Sequence, residues 1–228
     1  MKTLLVFIFF LISIVFCQSA DFRYDNYNEY KLRKSAIKIS HLSSLWLSDH
    51  ISIKQGENER LIVKFGYFSH SKKINDSRWI LPDLKFGLRV SKNLLTSGRF
   101  YGLHLKQDSP QIIGAGIHYT FGENGFWMIS FQKSAINGLS DFRLVLSSFN
   151  LEKYIEKSKF DLVIGIGSST FINRSYYASS FLPNKLDENI KYAALKILYP
   201  FRKIKLGVGT RFSSDILLFN IFISKGFQ

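Results

Sequence analysis

The sequence predicts an all-β fold, an antiparallel up-and-down barrel of about ten strands. Two observations carry it: apolar side chains recur at every second position in successive rows, and short turn-forming segments separate the rows. Leu61, Val63, Phe65 and Tyr67 make one row, and Leu84, Phe86, Leu88 and Val90 the next. Tyr101, Leu103 and Leu105 follow, then Ile113, Ala115, Ile117, Tyr119 and Phe121. A period of two places such side chains on one face of a pleated strand.

Residues 1–19 read as an export signal. Lys2 supplies a positive start, residues 4–16 are apolar apart from Ser13, and Cys17, Gln18 and Ser19 bring small residues to a cleavage site after Ser19 or Ala20. The chain has one cysteine, so the processed protein has none and must hold together by burial and backbone pairing. Residues 20–50 form a polar, tyrosine-rich periplasmic lead-in whose later part, 35–49, is open to a strand, a helix or a plug. Residues 51–228 make the barrel, with strands expected near 60–69, 84–92, 99–107, 111–121, 126–134, 141–149, 159–172, 189–199, 203–212 and 216–226. Twelve strands would need two more from residues 22–50.

The connectors at 107–110, 122–125, 200–203 and 213–215 carry turn residues, and short connectors enforce antiparallel neighbours. The four prolines, at 82, 110, 183 and 200, fall outside the expected strand interiors, as a ladder of N–H donors demands. The longest expected loop is 173–189, with 71–82 next.

Alternation alone fits a soluble β-barrel with its apolar rows inside, or a membrane barrel with those rows against lipid. Four features favour the membrane. The rows are long enough for the ~9–11 residues of a spanning strand. The polar rows hold Gly114, Gly116, Gly165, Gly167, Gly207 and Gly209, which weaken an exposed face but give room inside a curved barrel. Aromatics gather at row ends, as at Tyr119, Phe121, Trp127, Phe160, Tyr199 and Phe212. The last strand alternates through Leu217, Phe219, Ile221 and Ile223 and closes on Phe227.

On these residues the chain resembles the bacterial outer-membrane β-barrel superfamily, over the whole processed length, departing from its terminal pattern at Asn220 and Gln228. The resemblance implies a Gram-negative outer membrane, an even strand number, both termini periplasmic, and contact with lipid, lipopolysaccharide and the barrel-assembly machinery. Counting ten strands back from the C-terminus then puts 213–215, 173–188, 135–140, 108–110 and 70–82 outside the cell.

Parity assigns Lys64, Lys85, Arg89, His104, Lys106, His118, Arg143, Lys196, Lys205 and Arg211 to the lumen, with Asp161 the only clear acid among them. Charge on the lipid face costs roughly 2–4 kcal/mol at mid-bilayer, which is the energetic reason for this sorting. A lumen of unpaired cations would concentrate small anions. The expected role is therefore a small pore, or a structural or surface barrel, with a cationic lumen. A narrow barrel filled by its own side chains and lead-in is the competing picture.

No reaction is expected. The rival from another class is a lipid-modifying hydrolase using His70 and Ser71 with Asp76, weakened because adjacent strand residues face opposite ways. A third reading is a soluble periplasmic barrel binding an apolar ligand. No cofactor or metal is expected: pairing about Ser109 would leave His104 and His118 ~13 Å apart, and His41 and His50 lack acids at ligand spacing. The net charge of +14 accompanies an abundance of Lys, Ile, Asn and Phe and does not imply nucleic acid in an exported chain.

Overall fold

A computed structural model describes residues 19–24, 29–54, 59–74, 77–105, 108–123, 126–176, 182–202 and 204–228. The export signal thus lies outside the described residues, save for Ser19. Among the described residues one helix, α1 (Glu29–Leu47), precedes ten strands. These are β1 (Leu61–His70), β2 (Ile80–Arg89), β3 (Leu94–Gly102), β4 (Gln111–Phe121), β5 (Trp127–Asn137), β6 (Phe142–Glu156), β7 (Asp161–Ser175), β8 (Lys185–Phe201), β9 (Ile204–Phe212) and β10 (Leu217–Phe227). Each strand pairs antiparallel with its sequence neighbours, and β10 returns to β1 to close the barrel. The closing register sets Leu61 opposite Phe227 and His70 opposite Leu218.

Every strand exposes an apolar side chain on the outer surface: Leu61, Leu88, Phe100, Ile117, Phe131, Phe149, Ile166, Ile197, Val208 and Ile221, with Phe100 as much as 76% exposed. An unbroken belt of this extent has no place in water. In a bilayer it faces acyl chains, and the ladder closes on itself, with β2 and β3 joined only from Phe86 to Arg89. Tyr119, Trp127, Phe160, Tyr199, Phe201 and Phe227 gather beside the turns at the C-terminal end and are exposed, as an interfacial girdle would be. Among the described residues no helix is long and apolar enough to cross a membrane.

Glycines of the inner row make room for aromatic rings. A Cβ on Gly167 would lie 2.6 Å from the Tyr192 ring, and one on Gly207 would collide with Phe222.

Connectors at the Phe227 end are short, at 90–93, 122–126, 157–160 and 202–203; those at the other end include 71–79, 103–110 and 176–184. Outer-membrane barrels keep short turns in the periplasm and longer loops outside. The strands β6 to β8 are also the longest, at 15, 15 and 17 residues. The outer face of β8 is apolar from Ala193 to Phe201 but polar at Lys185, Asp187, Asn189 and Lys191. Beside it Ser168 donates to Asn189 Oδ1 (2.9 Å), and Asn189 Nδ2 donates to Thr170 Oγ1 (3.0 Å). This polar end of the hairpin therefore lies beyond the apolar belt, opposite Phe227.

The chain enters from that same outer end. Ser19 and Ile80 exchange backbone bonds of 3.2 and 2.7 Å, and Phe22 packs on Trp79 with ring centroids 4.5 Å apart. Tyr24 stacks on Phe142 at 5.2 Å, and its N–H donates to Asp141 Oδ2 at 2.7 Å. Burial pushes the Asp141 carboxyl above its ordinary value, and the Tyr24 bond partly offsets this. From there α1 descends through the lumen, with residues 42–50 all buried. Ile51 and Ile53 meet Ile62, Leu95 and Met128 at the periplasmic end, where Lys54 pairs with Glu156. Of the expected lead-in, residues 19–24 lie with the long loops at the end opposite Phe227, and residues 29–47 form the helix α1.

Several strand limits are corrected as well. β2 begins at Ile80, so Pro82 lies within it, facing Tyr67, and Pro200 lies within β8, facing Lys205. The expected strand at 99–107 is β3 at Leu94–Gly102, and the expected long loop 173–189 shrinks to 176–184 as β7 and β8 extend.

Candidate functional site

The lumen holds three layers along its axis. At the outer end α1 and the lead-in pack an apolar cluster, including Ile39, Leu42 and Trp46, against Phe142, Leu144, Leu146 and Phe171. At the periplasmic end lies the smaller cluster around Ile51 and Met128. Between them sits a buried charged layer.

Small side chains let the helix come close to the wall. Ser44 Oγ lies 2.8 Å from Ser169 Oγ, and Asn173 Nδ2 donates to Ser40 Oγ at 2.5 Å and to Tyr24 Oη at 2.8 Å. The helix ends where Ser48 N–H donates to Ser44 O (2.9 Å), and Gln132 Nε2 then caps the free carbonyls of Leu47 (2.8 Å) and Asp49 (3.0 Å).

Asp49 is the centre of the charged layer. Lys64 Nζ and Lys85 Nζ donate to its Oδ2 at 2.7 and 2.5 Å. Arg211 Nη2 donates to Oδ1 at 3.0 Å, and Lys196 Nζ stands 3.9 Å from the same oxygen. Arg99 donates to the Asp49 carbonyl, and Arg211 Nη1 to Ser48 Oγ at 2.6 Å. Lys85 also pairs with Asp83 on its own strand. A second group lies alongside: Glu152 Oε1 is 2.7 Å from Lys196 Nζ and 2.9 Å from His50 Nε2. The His50 ring stacks on His118 at 5.8 Å, and His118 Nε2 is 2.7 Å from Ser97 Oγ. Among the described residues of the buried central wall, five cations (Lys64, Lys85, Arg99, Lys196 and Arg211) face two carboxylates, Asp83 and Glu152. The plug adds Asp49.

Of the residues assigned to the lumen by parity, Lys64, Lys85, His118, Lys196 and Arg211 are buried there. Arg89 and Lys205 point inward at the periplasmic rim. Arg89 donates to the Glu59 carbonyl (3.0 Å), and Lys205 lines a cavity of about 630 Å³ with Arg202 and Lys225. His104 and Arg143 are corrections: both are exposed on the outer side. Lys106 lies outside the described residues. The two corrections share one cause. Apolar rows were assigned to lipid, but Leu103, Leu105, Phe142, Leu144 and Leu146 pack against the apolar upper plug, which turns their neighbours outward. Tyr101, assigned to the outer row with Leu103 and Leu105, likewise faces in and donates to the Pro82 carbonyl (3.1 Å).

The expected lumen of unpaired cations with Asp161 as its one clear acid is corrected too. The cations are paired, and the missed partners are Asp49, Asp83 and Glu152. Asp83 shares parity with Lys85 two residues on, and Glu152 continues the row of Ser148 and Asn150; both become legible once β2 and β6 are given their full lengths. Asp49 left no such signal, because it belongs to no strand.

His70 is buried, with Nδ1 2.9 Å from the Leu217 carbonyl oxygen, whereas Ser71 is exposed past the strand end. Asp76 lies outside the described residues. The fold does bring acids to the two plug histidines: His41 Nε2 is 2.6 Å from Glu188 and Nδ1 3.5 Å from Asp215, while His50 meets Glu152. His118 lies opposite Leu95 in the ladder, a register different from the one expected about Ser109. Among the described residues no group of three His, Cys, Asp or Glu could hold a metal ion.

No protein-family model matches the sequence, and no curated protein matches it either. Solved structures of similar form exist. The N-terminal β-barrel domain of Pseudomonas aeruginosa OprF aligns over 73% of this chain and 97% of its own, at 9% identity and a TM-score of 0.36. The translocator domain of the autotransporter NalP from Neisseria meningitidis aligns over 88% and 99%, at 10% identity and 0.40. The Yersinia pestis outer membrane protein Ail aligns over 75% and 100%, at 12% identity and 0.39. With its ladder closed on itself and its apolar belt turned outward, the chain has the fold of a ten-strand antiparallel transmembrane β-barrel.

Proposed function

We propose that this barrel is an anion-preferring pore held shut by its own N-terminal segment. The observation that carries the reading is the charge of the wall, whose excess of buried cations is met by a carboxylate that the plug brings. With the segment in place, two apolar layers seal the axis on either side of the charges. With it withdrawn, the cationic wall would attract anions and repel cations, because charges in a narrow low-dielectric lumen act over its full width. The reading assigns no reaction to the chain.

A removable lock tests it. The one cysteine, Cys17, lies in the expected export signal, so Ser44→Cys with Ser169→Cys places a single pair of thiols at positions whose Oγ atoms are 2.8 Å apart. In planar bilayers the reduced protein should show openings whose reversal potential favours chloride over potassium, and the oxidised protein should stay silent. Openings that favour potassium overturn the anion preference. Silence in both forms overturns the pore and leaves a permanently closed surface barrel, the reading favoured by the polar outer extension of β7 and β8.

A further inference from the structure

We propose that the barrel wall carries a binding site for a small carboxylate, formed by Lys64, Lys85, Lys196 and Arg211 and filled in the closed protein by the side chain of Asp49. The proposal deepens the pore reading, on which it rests for the withdrawal of the plug, and names the class of anion the wall would accept.

The four cations come from β1, β2, β8 and β9, so the cradle belongs to the barrel; only its occupant belongs to the plug. Their arrangement matches two oxygens rather than one centre. Lys64 and Lys85 donate to Oδ2 and Arg211 donates to Oδ1, with the Lys196 charge 3.9 Å from Oδ1. A halide could sit against Lys64 and Lys85 but would leave Arg211 unanswered. Arg99 and Gln132 address the Asp49 carbonyl, not its carboxylate, so they hold the plug segment and take no part in the cradle.

Surrounding charge sets the valence of the occupant. Asp83 touches Lys85, and Glu152 touches Lys196 at 2.7 Å, so two of the four cations are already shared. A second negative charge on the guest would meet these carboxylates at close range. With the plug in place the cradle holds one carboxymethyl group in a fully buried layer, its donors set for the two oxygens of a carboxylate. The class that fits is a monocarboxylate of acetate size. Such a group would receive charge-assisted bonds, which are about twice as strong as neutral ones.

Asp49→Gly removes a carboxymethyl group that acetate replaces atom for atom. The variant is unfolded, refolded into detergent with sodium acetate, sodium chloride or acetamide present at matched ionic strength, and heated. The readout is the temperature at which the folded, fast-migrating gel band is lost. Acetate should restore the band toward its wild-type midpoint, saturably, with half-effect at a concentration about tenfold lower than any effect of chloride. Acetamide should do nothing, and the parent protein should be indifferent to acetate. Adding Lys64→Met to Asp49→Gly should abolish the rescue.

Equal effects of acetate and chloride would reduce the site to general screening and overturn the proposal. So would rescue that survives Lys64→Met, or failure of Asp49→Gly to fold in any of the three solutions while Asp49→Asn folds. None of these results depends on conduction. A barrel that takes up acetate yet stays silent with the lock reduced keeps the site and loses the pore.

Discussion

At the scale of the residue, Asp49 illustrates how a buried charge depends on its surroundings. It is fully buried, as are the lysines and arginine that hold it. Removing one member of such a group leaves the others desolvated and uncompensated, which costs about 3–5 kcal/mol. Asp49→Ala should therefore lower the unfolding free energy by about that amount in denaturant titrations followed by tryptophan fluorescence. Glu152→Gln should cost less, since an amide oxygen can still accept from Lys196. A second residue-scale expectation concerns Gly207, where any Cβ runs into the Phe222 ring on β10. Gly207→Ala should destabilise by about 1–3 kcal/mol through overpacking, and Phe222→Leu in the same chain should return part of it. A coupling energy near zero in that double-mutant cycle would mean that the ring simply moves aside.

At the scale of the element, α1 decides which rows face where. β4 matches its expected limits, 111–121: its outer row from Ile113 to Phe121 is apolar and its inner row from Gly114 to Thr120 is small or polar, with Ile112 at its outer end joining the apolar cluster. β3 and β6 also turn apolar residues inward at their outer ends. Alternation shows that a strand has two unlike faces without saying what lies against each, and an apolar plug attracts an apolar row as lipid does. The alternation also ran past the end of β3, since Leu103 and Leu105 continue its inward row while their backbones pair only locally, with Pro110 and Asp108. Four of the five cations of the central wall were legible, because there parity holds; Arg99 was not, since it shares the inward row of Tyr101 and Leu103 that was assigned to lipid. Their partners were not, since the main one comes from a segment outside the ladder. The path of that segment gives a prediction of its own. Phe22 sits on Trp79 and Tyr24 stacks on Phe142, at the end with the long loops. A short epitope inserted between Ala20 and Asp21 should bind antibody on intact cells, while one appended after Gln228 should bind only after permeabilisation. The reverse pattern would invert the barrel in the membrane.

At the scale of the whole molecule, the lumen is a stack in which apolar layers bracket a charged one, so that in the proposed pore closure and selectivity would lie in different layers. The outer seal is made by Leu42, Trp46 and their neighbours against β6 and β7, and the inner seal by Ile51 and Ile53 against β1, β3 and β5. Neither uses Asp49. In the proposed pore these layers would exclude water and ions by packing, and losing one charge between them would not loosen that packing. Asp49→Asn keeps the shape of the side chain and removes only its charge. In planar bilayers it should leave the resting leak of the barrel unchanged, even as it lowers the unfolding temperature. Conductance should rise instead when the outer seal is thinned, as in Trp46→Ala, which empties a large buried side chain from the axis. If Asp49→Asn alone produced a standing anion current, the charged layer itself would be the gate, and the apolar layers would be packing that water already crosses.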